Sequence, residues 1–174
     1  MNGIFDKVLL TEEEEDRLIV ERYKHMYFID SVKVKKLDPK AKLPEVSSEY
    51  AAGADVFACL DQSAIVLAPG ETAKISTGLA IEPPSCSWVG VFARSGLATK
   101  EGLRPANCVG VVDSDYRGPI IVAVHNDSNQ IRFITDEEKI AQLILFPKYE
   151  WKFEEVEELS DTDRGAGGFG STGK

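Results

Sequence analysis

Residues 107–122 read NCVGVVDSDYRGPIIV, two short apolar runs on either side of the polar hexapeptide DSDYRG. β-Branched runs bounded by Asp, Ser and Gly are strand–turn–strand grammar, so the stretch predicts a β-hairpin. Asp113 follows directly on VGVV, and a carboxylate at the mouth of an apolar strand is placed to orient a water as general base. Asp115 fits the same description, and spacing does not choose between the two. Tyr116 offers a flat face for a sugar or a base.

The same grammar extends outward from this stretch. YFIDSVKV, DVFACL, AIVL, AKIS, SWVGVFA, IRFI and KIAQLILF are β-branched or aromatic runs, with the turn signals APGE, NDSN and EPPS between them. This spacing predicts an all-β domain, a sandwich, jelly roll or small barrel, with no internal repeat. Ahead of it, TEEEEDRLIVERY (11–23) predicts a helix, with Thr11 as N-cap and Glu14 as the other half of a capping box. The chain therefore divides into an acidic helical extension (1–25), a β core (26–153), and an acidic linker with a flexible glycine-rich arm (154–174).

With 174 residues, 43% of them hydrophobic, the chain is long enough for one well-buried core. Its formal charge of −9 is local. Residues 1–30 hold eight acids against four bases, and EEVEELSDTD (154–163) holds six acids and no base, leaving 15 acids and 16 bases elsewhere. A near-neutral core argues against nucleic-acid binding but permits a small anionic ligand held by a few arginines. Cys59, Cys86 and Cys108 form no metal spacing and cannot all pair, which predicts reduced thiols. No run suits a signal peptide or a bilayer span, so the expected location is the cytoplasm, away from membranes.

Three further stretches break the β pattern. In ARSGLATKEG (93–102) a strand ends in an arginine, a hydroxyl and a glycine before a short helical turn. Ser95 is there either as the cap of that turn or, with Arg94 and the turn's N–H groups, as part of an anion site. In AAGADV (51–56), Asp55 stands at a strand start among small residues, where aspartate is commonly a turn residue. The third is RGAGGFGSTGK (164–174), with five glycines in eleven positions. Gly165, Gly167 and Gly170 satisfy G-x-G-x-x-G, but only four residues follow, too few for the helix that a dinucleotide fold requires. A P-loop fails as well, since Lys174 comes after Ser171 and Thr172. His25 and His125 lie outside any ligand spacing and read as structural or surface residues.

Taken in order, AGADV, RSGLA, N-x-x-G-x-x-DSDYRG, KIAQLI and RGAGGFGSTG resemble the five motifs of the trimeric dUTPase family, and the third and fifth are the most specific. The resemblance runs from about Phe28 to Thr172 and leaves residues 1–25 outside it. It implies an all-β, jelly-roll-like barrel with one short internal helix. It also implies a homotrimer with sites shared between subunits, and hydrolysis of dUTP to dUMP and pyrophosphate by attack of water on the α-phosphorus.

The site residues follow from the same resemblance. Asp113 matches the catalytic carboxylate that activates the water. Asn107 and the backbone at Val111 and Val112 would read the uracil edge, and Tyr116 would lie against the deoxyribose. Arg94, Ser95 and Gly96 match the phosphate motif, with Ser95 near the leaving group, and Gln142 the glutamine that helps hold phosphate and water. Asp55 matches the acid that holds waters on a substrate-bound Mg²⁺, a metal that keeps several waters and is largely held by phosphates. In the arm, Arg164 would pair with the γ-phosphate, Phe169 stack on uracil, Gly170 let the backbone approach, and Ser171 and Thr172 donate to phosphate oxygens.

The chain departs from the family pattern at three places. Ala54 replaces a larger residue, Ala93 a proline, and Glu137-Glu138-Lys139 a Gly-Asp-Arg ahead of IAQ. Other readings are a dCTP deaminase relative on the same fold, or a nucleotide-gated interaction protein whose partner docks on residues 1–25.

Overall fold

The computed structural model describes residues 11, 13, 14, 17, 31–107 and 109–168. Among the described residues twelve strands carry the fold. They are β1 (Lys33–Lys36), β2 (Glu45–Val46), β3 (Gly53–Phe57), β4 (Ala64–Leu67), β5 (Thr72–Ser76), β6 (Leu79–Glu82), β7 (Ser87–Phe92), β8 (Leu103–Pro105), β9 (Gly110–Val112), β10 (Ile121–Asn126), β11 (Arg132–Thr135) and β12 (Lys139–Pro147). A π-helical turn, Leu97–Glu101, links β7 to β8. The all-β reading and the short internal helix both hold. No closed barrel forms among the described residues: the strands make four sheets, ordered β1-β6, β5-β10-β8, β11-β4 and β2-β3-β12-β7-β9.

Alternation points one side of each ladder inward. In β10, Val122, Val124 and Asn126 are buried, while Ile121 and His125 face outward. Together with Val56, Leu67, Ile75, Ile81, Leu103, Ile134 and Ile140, the two valines form a single core fed by all four sheets. Asn126 is buried without cost because its amide is fully partnered. Nδ2 donates to the carbonyls of Leu67 (3.0 Å) and Gln130 (2.8 Å), and Oδ1 accepts from Ser128 N (2.9 Å) and Oγ (2.7 Å). The NDSN turn signal is thus also a clamp between β10 and β4.

Two expectations need correction. VGVV and PIIV do not pair as a hairpin: β9 pairs with β7 and β10 pairs with β5 and β8. The connection between them, residues 113–120, exceeds the two to five residues that hairpin pairing favours, so the strands enter different sheets. Ser95 does not cap the π-helical turn. Gly96 holds the N-cap position with no side-chain cap bond, while Ala98 N reaches the Arg94 carbonyl at 2.9 Å.

At the amino end, Thr11 N donates to Glu14 Oε2 (2.9 Å) and Glu14 N to Thr11 Oγ1 (3.3 Å), the two bonds of the expected capping box. Residues 13, 14 and 17 are helical, and the rest of the anticipated extension lies outside the described residues. Among the described residues no helix is long and apolar enough to cross a membrane. Cys59 and Cys86 are free thiols, and Cys108 lies outside the described residues.

The turn into β12 holds the chain's one positive-φ residue that is not glycine among those described, Glu137 at φ 63°. It is pinned from both sides. Glu137 N donates to the Ala58 carbonyl (2.9 Å), Ala58 N to the Glu138 carbonyl (2.8 Å), and Thr135 N to Glu138 Oε2 (2.9 Å). A β-carbon in this region costs about 1–2 kcal/mol, partly offset in glycine by greater unfolded-state freedom. Glu137→Gly is therefore expected to stabilise the chain by about 0.5–1 kcal/mol, raising the melting temperature by about 1–4 °C, even with its exposed ion pair to Lys42 lost. Thermal denaturation checks this, and a lowered melting temperature refutes it.

Candidate active site

Where β9 ends, its last residues and the following turn enclose a cavity of about 230 Å³. Asn107, Val111, Val112, Asp113 and Tyr116 all line it, together with Pro119 and Ile120. Val112 is buried and anchors the strand, while Val111 and Asp113 are exposed. The Asp113 carboxylate accepts no hydrogen bond among the described residues, which leaves both oxygens open to a water or ligand. Tyr116 folds back on its own turn, its hydroxyl donating to the Pro119 carbonyl at 3.2 Å. Only a glycine permits this at position 118, because a β-carbon there would sit 2.4 Å from the Tyr116 oxygen. Asp115 lines a wider groove next door, with Trp88 and Trp151, and is absent from the Asn107–Tyr116 cavity.

A second cluster lies on β3, β12 and the end of β7. Asp55 and Gln142 are opposite each other in the β3–β12 ladder, and Gln142 is opposite Phe92 in the β12–β7 ladder. Asp55 accepts from Arg94 Nε at 2.9 Å, from Lys139 Nζ at 3.1 Å and from Ser47 Oγ at 3.1 Å. Arg94 is also held by the Lys139 carbonyl at 3.2 Å, and Gln142 Nε2 donates to the Ala93 carbonyl at 2.9 Å. Beside them, Ser95 and Gly96 open the π-helical turn, and the Ser95 hydroxyl makes no bond among the described residues. Two of the five Arg94 N–H groups are thus engaged, and the remaining three find no acceptor among the described residues. A guanidinium held at Nε and Nη1 with three N–H groups open has the donors to take an anion.

Burial pushes the Asp55 carboxyl upward, but the bonds from Lys139, Arg94 and Ser47 and the charge of Arg94 outweigh it and hold the group below its ordinary value of 3.8. Lys139 is raised from 10.5, first by its bond to Glu45 and then by Asp55. Among the described residues no group of three or more His, Cys, Asp or Glu side chains is placed to hold a metal ion. His125 has a structural role, set between Thr72 Oγ1 at 2.8 Å and Asp127 at 3.4 Å.

The two clusters lie toward opposite ends of β7. Val112 pairs with Val89, which sets Asp113 next to Trp88, whereas Arg94 follows the far end of the strand. Six residues at about 3.3 Å each separate those points by roughly 20 Å along the strand. The carboxylate of one chain is therefore out of reach of an anion on that chain's Arg94. The arm adds a third element. Residues 162–167 curl into a turn with Arg164 Nε on the Gly167 carbonyl at 2.8 Å, while Phe169, Gly170, Ser171 and Thr172 lie outside the described residues.

Comparison with known proteins gives this arrangement a family. The dUTPase family model matches residues 39–173. This chain belongs to the dUTPase family. A deoxyuridine 5'-triphosphate nucleotidohydrolase of Desulfitobacterium hafniense is 48% identical over 151 residues, covering 83% of this chain and 99% of that protein. Among solved structures, a mutant Staphylococcus bacteriophage 80alpha dUTPase with dUpNHpp has a TM-score of 0.75 at 28% identity, covering 84% of this chain and 100% of the phage protein. A mutant dUTPase from phage phi11 of S. aureus, studied for its coordination of a structural Mg(II) ion, has a TM-score of 0.65 at 26% identity, covering 74% and 98%.

Sequence reasoning did not find Glu45, Ser47 and Lys139, which complete the cluster around Asp55. The signal for Lys139 was its place directly before IAQ; nothing in PEVSSEY marks Glu45 or Ser47.

Because the Asp55 carboxyl is depressed in the folded state, its stabilisation is fully present above its ordinary value of 3.8 and is lost as pH falls through the depressed value. Asp55→Asn is expected to cost about 1–3 kcal/mol at pH 7 by leaving Arg94 and Lys139 under-partnered. That deficit should shrink as the medium is taken below pH of about 4. Melting curves of both proteins from neutral to acid pH check this, and a gap that widens in acid refutes it.

Proposed function

We propose that the chain hydrolyses dUTP to dUMP and pyrophosphate, limiting uracil incorporation into DNA and supplying dUMP for thymidylate synthesis. The observation that carries the reading is the cavity at the end of β9, where Asn107, Val111, Val112, Asp113 and Tyr116 meet. A uracil edge finds the Asn107 amide and the strand backbone, the tight wall excludes a 5-methyl group, and the Tyr116 ring covers the sugar where a 2′-hydroxyl would need space. Asp113, with open oxygens at the rim, takes a proton from water as the water oxygen bonds to the α-phosphorus. The bond from that phosphorus to the bridging oxygen breaks, and pyrophosphate leaves with the pair of electrons. Arg94, Ser95 and the N–H groups at Gly96 receive the leaving phosphates, and Gln142 steadies phosphate and water.

Bound with the triphosphate, Mg²⁺ would offset part of its charge. The protein's donor set fits contact through water only: each Asp55 oxygen already accepts from a cation, so Asp55 is placed to order metal-bound waters and not to bind the metal itself.

Since Asp113 and Arg94 of one chain are too far apart along β7 to act on one substrate, the complete site combines them from different chains of a homotrimer. The arm, residues 154–174, closes over it, with Arg164 on the γ-phosphate, Phe169 on uracil, Gly170 allowing close approach, and Ser171 and Thr172 donating to phosphate. In this reading residues 26–153 are the catalytic core of a cytoplasmic enzyme, and the helical extension 1–25 is available to a protein partner. The comparisons favour hydrolysis over a deaminase or a purely nucleotide-gated interaction protein.

Asp113→Asn is expected to retain nucleotide binding and lose about 10²–10⁴-fold in turnover, because the amide cannot accept the water's proton. Asp115→Asn, outside the cavity, should stay near the parent rate. Pyrophosphate release from dUTP, dCTP, dTTP and UTP checks both the residue and the substrate, and full activity in Asp113→Asn moves the base elsewhere. Deletion of residues 164–174 should leave the melting temperature nearly unchanged, since they bury little apolar surface, while strongly reducing dUTP turnover. Parental turnover in the truncated protein would show that the arm is no lid.

A further inference from the structure

We infer that Lys139 is a positioning residue for the phosphate end of the site, setting both the geometry of Arg94 and the net charge around it through Asp55; the inference rests on the dUTPase reading above. It starts from a defect in the β12 ladder. Lys139 is opposite Phe57 and Ala141 opposite Val56, so Ile140 is an extra residue, a β-bulge. Strict alternation would put Lys139 and Gln142 on opposite faces of the sheet. The bulge shifts that phase: Ile140 and Ala141 are both fully buried, and Lys139 comes round to Asp55, the ladder partner of Gln142.

There Lys139 does two things. Its backbone carbonyl accepts from Arg94 Nη1. Its ammonium bridges Asp55 at 3.1 Å and Glu45 at 3.0 Å, with Phe57 beneath it at 5.5 Å from the ring centroid. The run Glu45–Lys139–Asp55–Arg94 therefore alternates in sign and sums to zero. Without Lys139, two carboxylates would face one guanidinium, and the site would present net negative charge to a polyanion. Glu45 lies on the outer end of this run, on the exposed two-residue strand β2, and acts in the opposite sense. Its removal leaves one surplus positive charge. The same residues thus predict opposite signs for two substitutions, which a purely structural role does not.

Steady-state kinetics on the full-length protein test this, with dUMP binding as the internal reference because dUMP lacks the leaving phosphates. Lys139→Met is expected to raise KM for dUTP about tenfold with kcat within about twofold and dUMP affinity unchanged, and Lys139→Arg to restore the parent KM. Glu45→Gln is expected to lower KM for dUTP by about twofold, an effect that added salt weakens. Parental KM in Lys139→Met, an equal loss of dUMP affinity, or a raised KM in Glu45→Gln would overturn the inference. Glu45→Gln removes only an exposed carboxylate, so it reports even if Lys139→Met folds poorly. A parent protein without dUTP turnover would instead overturn the function on which the inference rests.

Discussion

The pairing of β12 with β3 on one side and β7 on the other is the constraint from which the rest of the molecule follows. It makes the longest strand the middle of the largest sheet and puts Ile140 and Ala141 into the core. It also aligns Asp55, Gln142 and Phe92 across three strands, so that Arg94, two residues beyond Phe92, falls within reach of Asp55. Packing and chemistry share this ladder. Strand register moves in whole residues, and a slip of one would exchange the buried and functional faces together.

The same ladder explains why, under the proposed reading, one chain does not make a whole site. β9 runs antiparallel to β7, so the residue that leaves β9 and the residue that leaves β7 depart toward opposite ends. Asp113 and Arg94 are consequently separated by the length of the strand that supports both of them. A rigid sheet gives each group an accurate position, but it cannot bring the two together. The proposed association of chains would remedy this, because it would juxtapose two preformed half-sites without bending either.

Legibility in the sequence followed run length. β3, β4, β5, β7, β10, β11 and β12 all overlap apolar or β-branched runs that stand out from their surroundings. β2 and β8 have two and three residues, too few for alternation to register, and β8 carries Pro105, which an edge strand tolerates but a sequence pattern argues against. The hairpin reading of residues 107–122 failed for a related reason: it assumed that neighbours in sequence pair, and the eight-residue connection released them to separate sheets. Within the site, the Asn107–Tyr116 group was legible because its members are close in the chain. The Asp55 cluster was legible only through the family resemblance, since Asp55 and Arg94 are 39 residues apart and their contact is created by the sheet. The charge network around Lys139 was beyond reach, as it depends on one bulged residue that leaves no mark in composition.

The departure at Glu137-Glu138-Lys139 can now be placed in that network. The turn ahead of the bulge keeps a left-handed residue although no glycine is present, and it does so because the bonds to Ala58 and Thr135 fix it from both sides. Those bonds also fix where β12 begins, and hence which residue is bulged and which side chain meets Asp55. Two conformational costs, the left-handed Glu137 and the interrupted ladder at Ile140, therefore lie immediately beside the one cation that neutralises Glu45 and Asp55 together. A turn with better local geometry but a different register would relieve the first cost and separate Lys139 from Asp55. Strain retained next to a functional group is understandable when, as here, the strained backbone is what aims that group.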